Sequence, residues 1–545
     1  MRYEYLISRS GDVVFALTVG IASGAQYFDL DTQEFSFNQS KSIFIATSIG
    51  GSSHTKWVLE IGRILANRGH NITYVTRDDQ LALADAFPQI QAVSTGPPVY
   101  ENILDKVKSK NFYEIAKVVR KFLNNAYQDD MRFYQDLFTT VTPDFFICDA
   151  FNDPCIDTAT KLNVPFAITC TGILHQDIPV PYINSLGTTA HATSESMTMW
   201  ERFHHKYVDL IKILYHLYPE MKELDDYRTL FDVEAVGLNR YKKWENALKL
   251  INSYFGFQPS QILSPLTHMV GPVFSAKQKE LTEEEAQFLN SHQKVAYVAF
   301  GQVAVPNKRE IEILASALLD QVERHQLDGV IWVGLKRHIS LNDDDSSWSI
   351  KTSKRTMTFT TAMLIDYLSK HVFMPNWASQ FAVLAHDATA LFVSHGGAES
   401  ANEATFNGVP ILINPYYGDQ RLVGRALTIA GVARVYDRST STFESVKKEM
   451  DTLLLDANGQ VARNVSRMKV LAKMGSKRKG YAADLVEEHM FASDKGISHH
   501  RYEVSRNISK IKSTDIDLHF TVLSFAILSG VTFYFMIYFF KTQIK

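Results

Sequence analysis

Between Phe392 and Gln420 the chain reads FVSHGGAESANEATFNGVPILINPYYGDQ, and its residue types are those that handle an anion. An apolar run ends at His395, Gly396 and Gly397, and a small-residue helix follows. N–H groups left exposed at such a helix start, added to the helix dipole, make an anion site. Glycines let a phosphate come close to the main chain, and His395 can donate from either ring nitrogen. The same Gly-Gly pair would also serve simply as a turn, so the neighbours decide between the two. Trp377 and Gln380 stand at the preceding strand end, suited to stacking on a base and bonding its edge. Glu403 lies two turns into the helix, where a carboxylate can accept two vicinal hydroxyls. Asp419 and Gln420 follow the next strand and face the same crevice. A planar base, a diol, a diphosphate and a polyhydroxylated ring would each find partners here. That order describes a nucleotide sugar.

Glu399 is out of place in that picture. A carboxylate 4 Å from a phosphate charge repels it by ~4 kcal/mol at an effective dielectric of 20. It has to rotate away, pair with a cation such as Arg421 or Arg425, or hold a proton. A second group of reactive residues lies far upstream. His54 follows the first apolar run, in SIGGSSHTKW, at the start of a helix, and Asp149 ends another run, FFICDA. A lone His in a first helical turn is more often structural. Two strands of one sheet would nevertheless bring both side chains into one crevice, as a hydrogen-bonded His–Asp pair.

The elements that must position these groups alternate. SIFIATS (42–48), NITYVT (71–76), DFFICDA (144–150) and PFAIT (165–169) read as strands, with helical periodicity between them at 55–69, where apolar residues recur at 58, 61, 64 and 65. KVAYVAFG (294–301), GVIWVGL (329–335), HVFMPNW (371–377), ATALFVSHG (388–396), GVPILINP (408–415) and GVARVY (431–436) repeat the plan, with a helix near 308–325. Strands alternating with helices predict parallel, doubly wound α/β sheets. The stretch 176–262 reads as a largely helical insertion, 264–274 as an interdomain linker, and NDDDSSWS (342–349) as a polar loop.

At 545 residues the chain exceeds one ordinary core. Its 46% hydrophobic and 21% charged content is globular, and a net charge of -3 leaves no nucleic-acid footprint. Cys148, Cys155 and Cys170 have no metal-type spacing and read as buried small residues rather than a disulfide framework. No G-x-G-x-x-G follows the first strand of either half, which excludes a nicotinamide dehydrogenase. LHFTVLSFAILSGVTFYFMIYFF (518–540) carries no charge and is long enough to span a bilayer. Arg2 and Arg9 before VVFALTVGIASGA (13–25) have the layout of a signal peptide over residues 1–25. These ends predict a type I membrane protein with a translocated body and a cytosolic tail at 541–545. Asn38, Asn71, Asn464 and Asn507 are sequons, with Asn71 at a strand start a poor acceptor.

Residues 371–434 resemble the signature of UDP-glycosyltransferases, in the membrane-anchored UDP-glucuronosyltransferase-like branch. The shared frame is Trp377, Gln380, Leu384, His386, Phe392, His395, Gly397, Ser400, Glu403, Gly408, Pro410, Pro415, Asp419 and Gln420. The resemblance implies a GT-B fold: an acceptor domain with the catalytic His at 42–263 and a UDP-sugar domain at 270–440. Helices at 441–517 would return to the first domain and lead to the membrane. By the same resemblance Trp377 stacks on uracil, Gln380 bonds the base or ribose, and Glu403 takes the ribose hydroxyls. His395 with the 397–400 turn, including Gly397, Glu399 and Ser400, holds the diphosphate, Gln302 touches phosphate, and Asp419 and Gln420 hold the sugar. His54 and Asp149 fall on the family's base and its orienting carboxylate. Ser379 stands for a usual Pro, Gln302 for Ser, Glu399 for Asn and Val423 for Asn. The reaction implied is inverting transfer of a hexosyl group, from UDP-glucose in preference to UDP-glucuronate, to a lipophilic acceptor such as a sterol, lipid or phenol. No metal and no cofactor beyond the UDP-sugar are expected, and the endoplasmic reticulum is the implied residence. The departures leave a catalytically impaired UDP-sugar-binding partner as the alternative.

Overall fold

The computed structural model describes residues 39–47, 51–99, 112–173, 180–184, 191, 193–301, 304–342, 347–416 and 418–543. The signal-peptide segment 1–25, Asn38, Gln302 and the last two residues of the tail lie outside the described residues. Seven parallel strands form the first sheet, in the order β3-β2-β1-β4-β5-β6-β7. They are β1 (Ser42–Ala46), β2 (Asn71–Thr76), β3 (Ile90–Ser94), β4 (Phe145–Asp149), β5 (Phe166–Cys170), β6 (Leu248–Ile251) and β7 (Thr267–Met269). Burial on both faces explains why β1, β4 and β5 read as unbroken apolar runs rather than alternating ones. Ile43, Ile45, Phe145 and Ile147 pack with Trp57, Val58, Ile61 and Leu65 of helix α1 (Ser52–Asn67). Phe44, Phe146 and Cys148 face the other way, toward Tyr134.

The second sheet has six parallel strands, in the order β12-β9-β8-β13-β14-β15. Its strands are β8 (Val295–Ala299), β9 (Gly329–Trp332), β12 (Val372–Phe373), β13 (Thr389–Ser394), β14 (Ile411–Ile413) and β15 (Ala433–Val435). Beside it runs an antiparallel hairpin of β10 (Trp348–Lys351) and β11 (Thr356–Phe359). Helix α2 (Ala398–Asn407) follows β13, and α3 (Gln420–Ile429) follows β14. In the first sheet the strand order reverses between β1 and β4, and in the second between β8 and β13. Open parallel sheets bind ligands at such switch points, beyond the carboxyl ends of the strands. His54, Asp149 and His395 all lie just there.

The halves are tied together. Tyr254 Oη donates to Thr405 Oγ1 of α2 at 2.9 Å, in a buried contact. Helix α4 (Lys479–Ala492) packs on α1 of the first half. Arg68 pairs with Asp484 at 2.6 Å and also with Glu487, His70 Nε2 lies 3.0 Å from Glu487, and Lys479 pairs with Glu60 at 2.8 Å. Within helix α5 (Ile516–Gln543) an 18-residue window reaches mean hydropathy 2.0, and none of that window is buried. Twenty-eight residues rise about 42 Å, against ~30 Å of hydrocarbon.

Several expectations need correction. β6 falls in the stretch read as a helical insertion, and β7 in the stretch read as a linker. LKLI and THM are too short to show a period, and pairing makes them strands, β6 against β5 through contacts such as Ala167 with Leu248 and β7 against β6. Trp348 and Ser349, read as loop, begin β10, where Trp348 and Ile350 turn inward. Cys148 and Cys155 form a disulfide with Cα atoms 5.8 Å apart, while Cys170 is buried. The chain turns back after β4 into the helix Asp153–Leu162, which brings the two thiols together. Sequence spacing does not reveal that turn. Asn464 is packed: its amide donates to the Gly431 carbonyl at 3.3 Å, and its oxygen accepts from Gln460 at 2.9 Å and from Arg467.

Candidate functional site

β1 and β4 are neighbours, with Ala46 opposite Cys148, so α1 starts beside the end of β4. His54 Nδ1 lies 2.7 Å from Asp149 Oδ2. Asp149 is almost fully buried, and its other oxygen accepts the Phe151 N–H at 2.9 Å. The carboxylate is thereby held in one orientation. Burial works against the charged imidazole, but the charge and hydrogen bond of Asp149 outweigh it and raise the His54 pKa. Asp419 and Glu399, on the opposite half, add smaller pulls in the same direction. His54 therefore faces the second half across a cleft. With Nδ1 engaged, Nε2 is the nitrogen that can exchange a proton.

Across the cleft, β13 ends opposite Ala299 of β8, and His395 follows. Gly396 adopts φ 86°, and a Cβ there would stand 2.7 Å from Ile413 Cγ2. The imidazole of His395 is wedged between two other glycines. A Cβ on Gly397 would lie 2.5 Å from its Nε2, and one on Gly301 3.0 Å from its Cε1. The HGG run is thus required by packing as well as by any ligand. Burial lowers the His395 pKa to about 4, against a weak opposing pull from the Ala299 carbonyl, and Nδ1 makes no well-formed hydrogen bond. Such a group is neutral at physiological pH, so it can donate a hydrogen bond without supplying charge. The start of α2, at Gly397, has no capping side chain, so its first N–H groups are not taken up by one.

Glu399 and Glu403 sit one turn apart on α2. Glu399 does not reach Arg421 or Arg425. Its Oε2 accepts from Ser52 Oγ of α1 at a long 3.5 Å, and Lys56 and His54 are the positive groups that act on it. Burial nevertheless raises its pKa, with those groups opposing. Burial and the charge of Glu399 push Glu403 up to about 8. Gln380 Nε2 donates to Glu403 Oε2 at 2.5 Å and to Ser400 Oγ at 3.1 Å, while Tyr297 Oη donates to Gln380 Oε1 at 3.4 Å. Ser400 thus faces Gln380. Trp377 is exposed at the rim, with 63% of its surface open. Asp419 is also at the surface of the cleft, where burial raises its carboxyl pKa against the pull of His54. Gln420 is buried and accepts the Tyr416 N–H at 2.7 Å, so its amide braces the loop after β14.

The structure therefore gathers His54 and Asp149 on one wall, and His395, Gly397, Glu399, Ser400, Glu403, Gln380 and Asp419 on the other. Ser52, Lys56 and Tyr297 escaped sequence reasoning. Ser52 and Lys56 are four apart, on one face of α1, which is a legible signal once the helix is known to face the cleft. Among the described residues no cluster of His, Cys, Asp and Glu is arranged to hold a metal ion.

Comparison with known proteins agrees with this geometry. Residues 51–473 match the family described as UDP-glucoronosyl and UDP-glucosyl transferase. A UDP-glycosyltransferase of Talaromyces amestolkiae is 30% identical over 518 residues, covering 89% of this chain and 95% of its own. The UDP-glycosyltransferase stmC of Aspergillus ustus is 29% identical over the same shares. Among solved structures, the glycotransferase of kitacinnamycin superposes with TM-score 0.60 at 19% identity, covering 83% of this chain and 99% of that one. UDP-glucose:anthocyanidin 3-O-glucosyltransferase in complex with UDP gives 0.56 at 17% identity, covering 83% and 100%. Two Rossmann-like domains with this cleft are the GT-B fold, and the chain belongs to the UDP-glycosyltransferase family of glycosyltransferase enzymes.

Proposed function

We propose that this enzyme transfers a glucosyl group from UDP-glucose, with inversion, to a hydroxyl of a small lipophilic acceptor. The observation that carries the reading is the 2.7 Å His54–Asp149 pair facing the uncapped start of α2. His54 Nε2 takes the acceptor proton as the acceptor oxygen attacks the anomeric carbon, and the bond to the UDP oxygen breaks on the opposite face. Asp149 holds the Nδ1–H tautomer and stabilises the imidazolium. General-base help of this kind is worth roughly 10²–10⁴ in rate. The leaving diphosphate is received by the first N–H groups of α2 and by neutral His395, dipoles already oriented before charge develops. Trp377 stacks on the base, Gln380 and Glu403 meet base edge and ribose, and Asp419 accepts a sugar hydroxyl. Gln420 braces that loop.

Glucose is favoured over glucuronate by the acidity of the cleft. Glu399 and Asp419 both act electrostatically on His54, so a carboxylated sugar would add a negative charge among them. Relatives point the same way: a Manihot esculenta protein named anthocyanidin 3-O-glucosyltransferase 7 is 30% identical over 188 residues. For the acceptor, the apolar helix α5 supports partition into lipid. A body in the lumen of the endoplasmic reticulum, with one span and a short cytosolic tail, suits the Cys148–Cys155 disulfide, which persists in oxidising compartments. The test is a donor and acceptor screen on purified full-length protein, with mass detection of the glycoside. UDP release from UDP-glucose with a phenol or sterol is expected. Release no greater than that of a His54→Ala variant would sink the proposal.

A further inference from the structure

One surface of the first half carries none of the residues assigned above to the reaction. Met199–Leu230 is a single helical run, with a π turn at His204–Asp209. Its inner face packs Leu224 against Tyr127 and Met131 of the helix Phe112–Leu137. Outward it presents Trp200, Phe203, Tyr207, Ile211, Tyr215 and Tyr218, each 46–78% exposed. Steps of three and four residues put all six on one stripe, about 27 Å long at 1.5 Å per residue. The aromatic rings also order one another. Trp200 stacks on Phe203 with centroids 5.5 Å apart, and Phe203 lies 5.1 Å from Tyr207. Side chains held against each other lose less freedom on meeting a partner.

We propose that this stripe docks on the bilayer that holds α5, laying the first domain against the lipid surface. The inference rests on the reading of α5 as a membrane span. Soluble surfaces rarely leave so large an apolar patch uncovered. Trp and Tyr are the side chains that combine an apolar body with a polar tip at the headgroup level. Exposed Arg202 and Lys212 flank the stripe as partners for lipid phosphates, against Glu201 on the acidic side. A tether in the same chain turns a weak surface interaction into an intramolecular one. Lipid is therefore favoured as the occupant over a second copy of the chain.

The six tryptophans make the test direct. Trp57, Trp244, Trp332 and Trp348 are at most 3% exposed, which leaves Trp200 and Trp377 as the two open indoles. Full-length protein is reconstituted into vesicles whose acyl chains carry bromine at shallow positions, and its fluorescence quenching is measured. Quenching is expected in the wild type, retained in Trp377→Phe and lost in Trp200→Phe. No quenching in the wild type, or quenching that survives Trp200→Phe, overturns the proposal. So does a Trp200 shielded from acrylamide in detergent by a dimer. Alkaline extraction of the same vesicles tests the anchor separately. Protein that resists extraction with Trp200 unquenched refutes docking alone, whereas protein stripped by alkali refutes the span.

Discussion

Exchanging Glu399 for Asn removes one negative charge from the first turn of α2 while leaving the backbone in place. Coulomb's law at an effective dielectric of 20 gives ~4 kcal/mol between unit charges 4 Å apart and ~2 kcal/mol at 8 Å. Glu399 leans toward Ser52 and Lys56 rather than along the helix axis, and it is only half-buried. The larger figure is therefore an upper bound, and the expected gain is ~2 kcal/mol, or about 30-fold tighter UDP-glucose binding. The variant also acts on Glu403, whose pKa of about 8 owes part of its rise to Glu399. UDP is an anion and binds better while the carboxyl pair keeps its proton. In the wild type that proton is lost as pH rises through about 8, so Kd should climb above that pH. In Glu399→Asn burial, the larger cause, still holds the Glu403 carboxyl up, but the push from Glu399 is gone, so the climb should move to lower pH. Calorimetry on detergent-solubilised full-length protein, in buffers of different ionisation enthalpy, reads both effects. At pH 8 the wild type should take up protons on binding UDP, and the variant fewer. An unchanged Kd with proton uptake intact would show that Glu399 does not face the diphosphate.

Three further outcomes are expected. Because Asp149 holds the His54 pKa above 6.5, the free base, and with it kcat/KM, should fall as pH drops through a midpoint above that value. Asp149→Asn should move this midpoint to lower pH while reducing kcat on the order of 10²-fold; a rate profile shows whether the limb moves. Trp377→Ala should weaken UDP binding by ~1–3 kcal/mol without lowering the thermal midpoint, since the indole is exposed; paired titration and thermal melts separate the two. Among the sequons, Asn507→Gln should remove a glycan from protein made in a secretory host, while Asn464→Gln should leave the glycan mass unchanged. Asn464 is held by Gln460, Arg467 and Gly431. Intact mass before and after deglycosylation decides.

Local windows of sequence carried the alternation of strands and helices, the glycines around His395, the apolar C-terminal run and the residue frame from Trp377 to Gln420 that resembles a nucleotide-sugar site. Each depends on periodicity, on backbone conformations that favour glycine, or on residue types grouped within a few turns, and a chain states such things without being folded. The disulfide, the short strands β6 and β7, and the partner of Glu399 were not legible. Cys148 meets Cys155 because the chain reverses after β4, and LKLI becomes a strand because β5 offers it an edge. Glu399 answers to Ser52 and Lys56, some 340 residues earlier, because two domains close on one cleft. Even His54 and Asp149, expected as a pair, depend on β1 lying beside β4 for their 2.7 Å contact. Sequence determined which groups the enzyme has and which local elements carry them. Strand order and domain closure, which set distances between residues far apart in the chain, decided which groups meet.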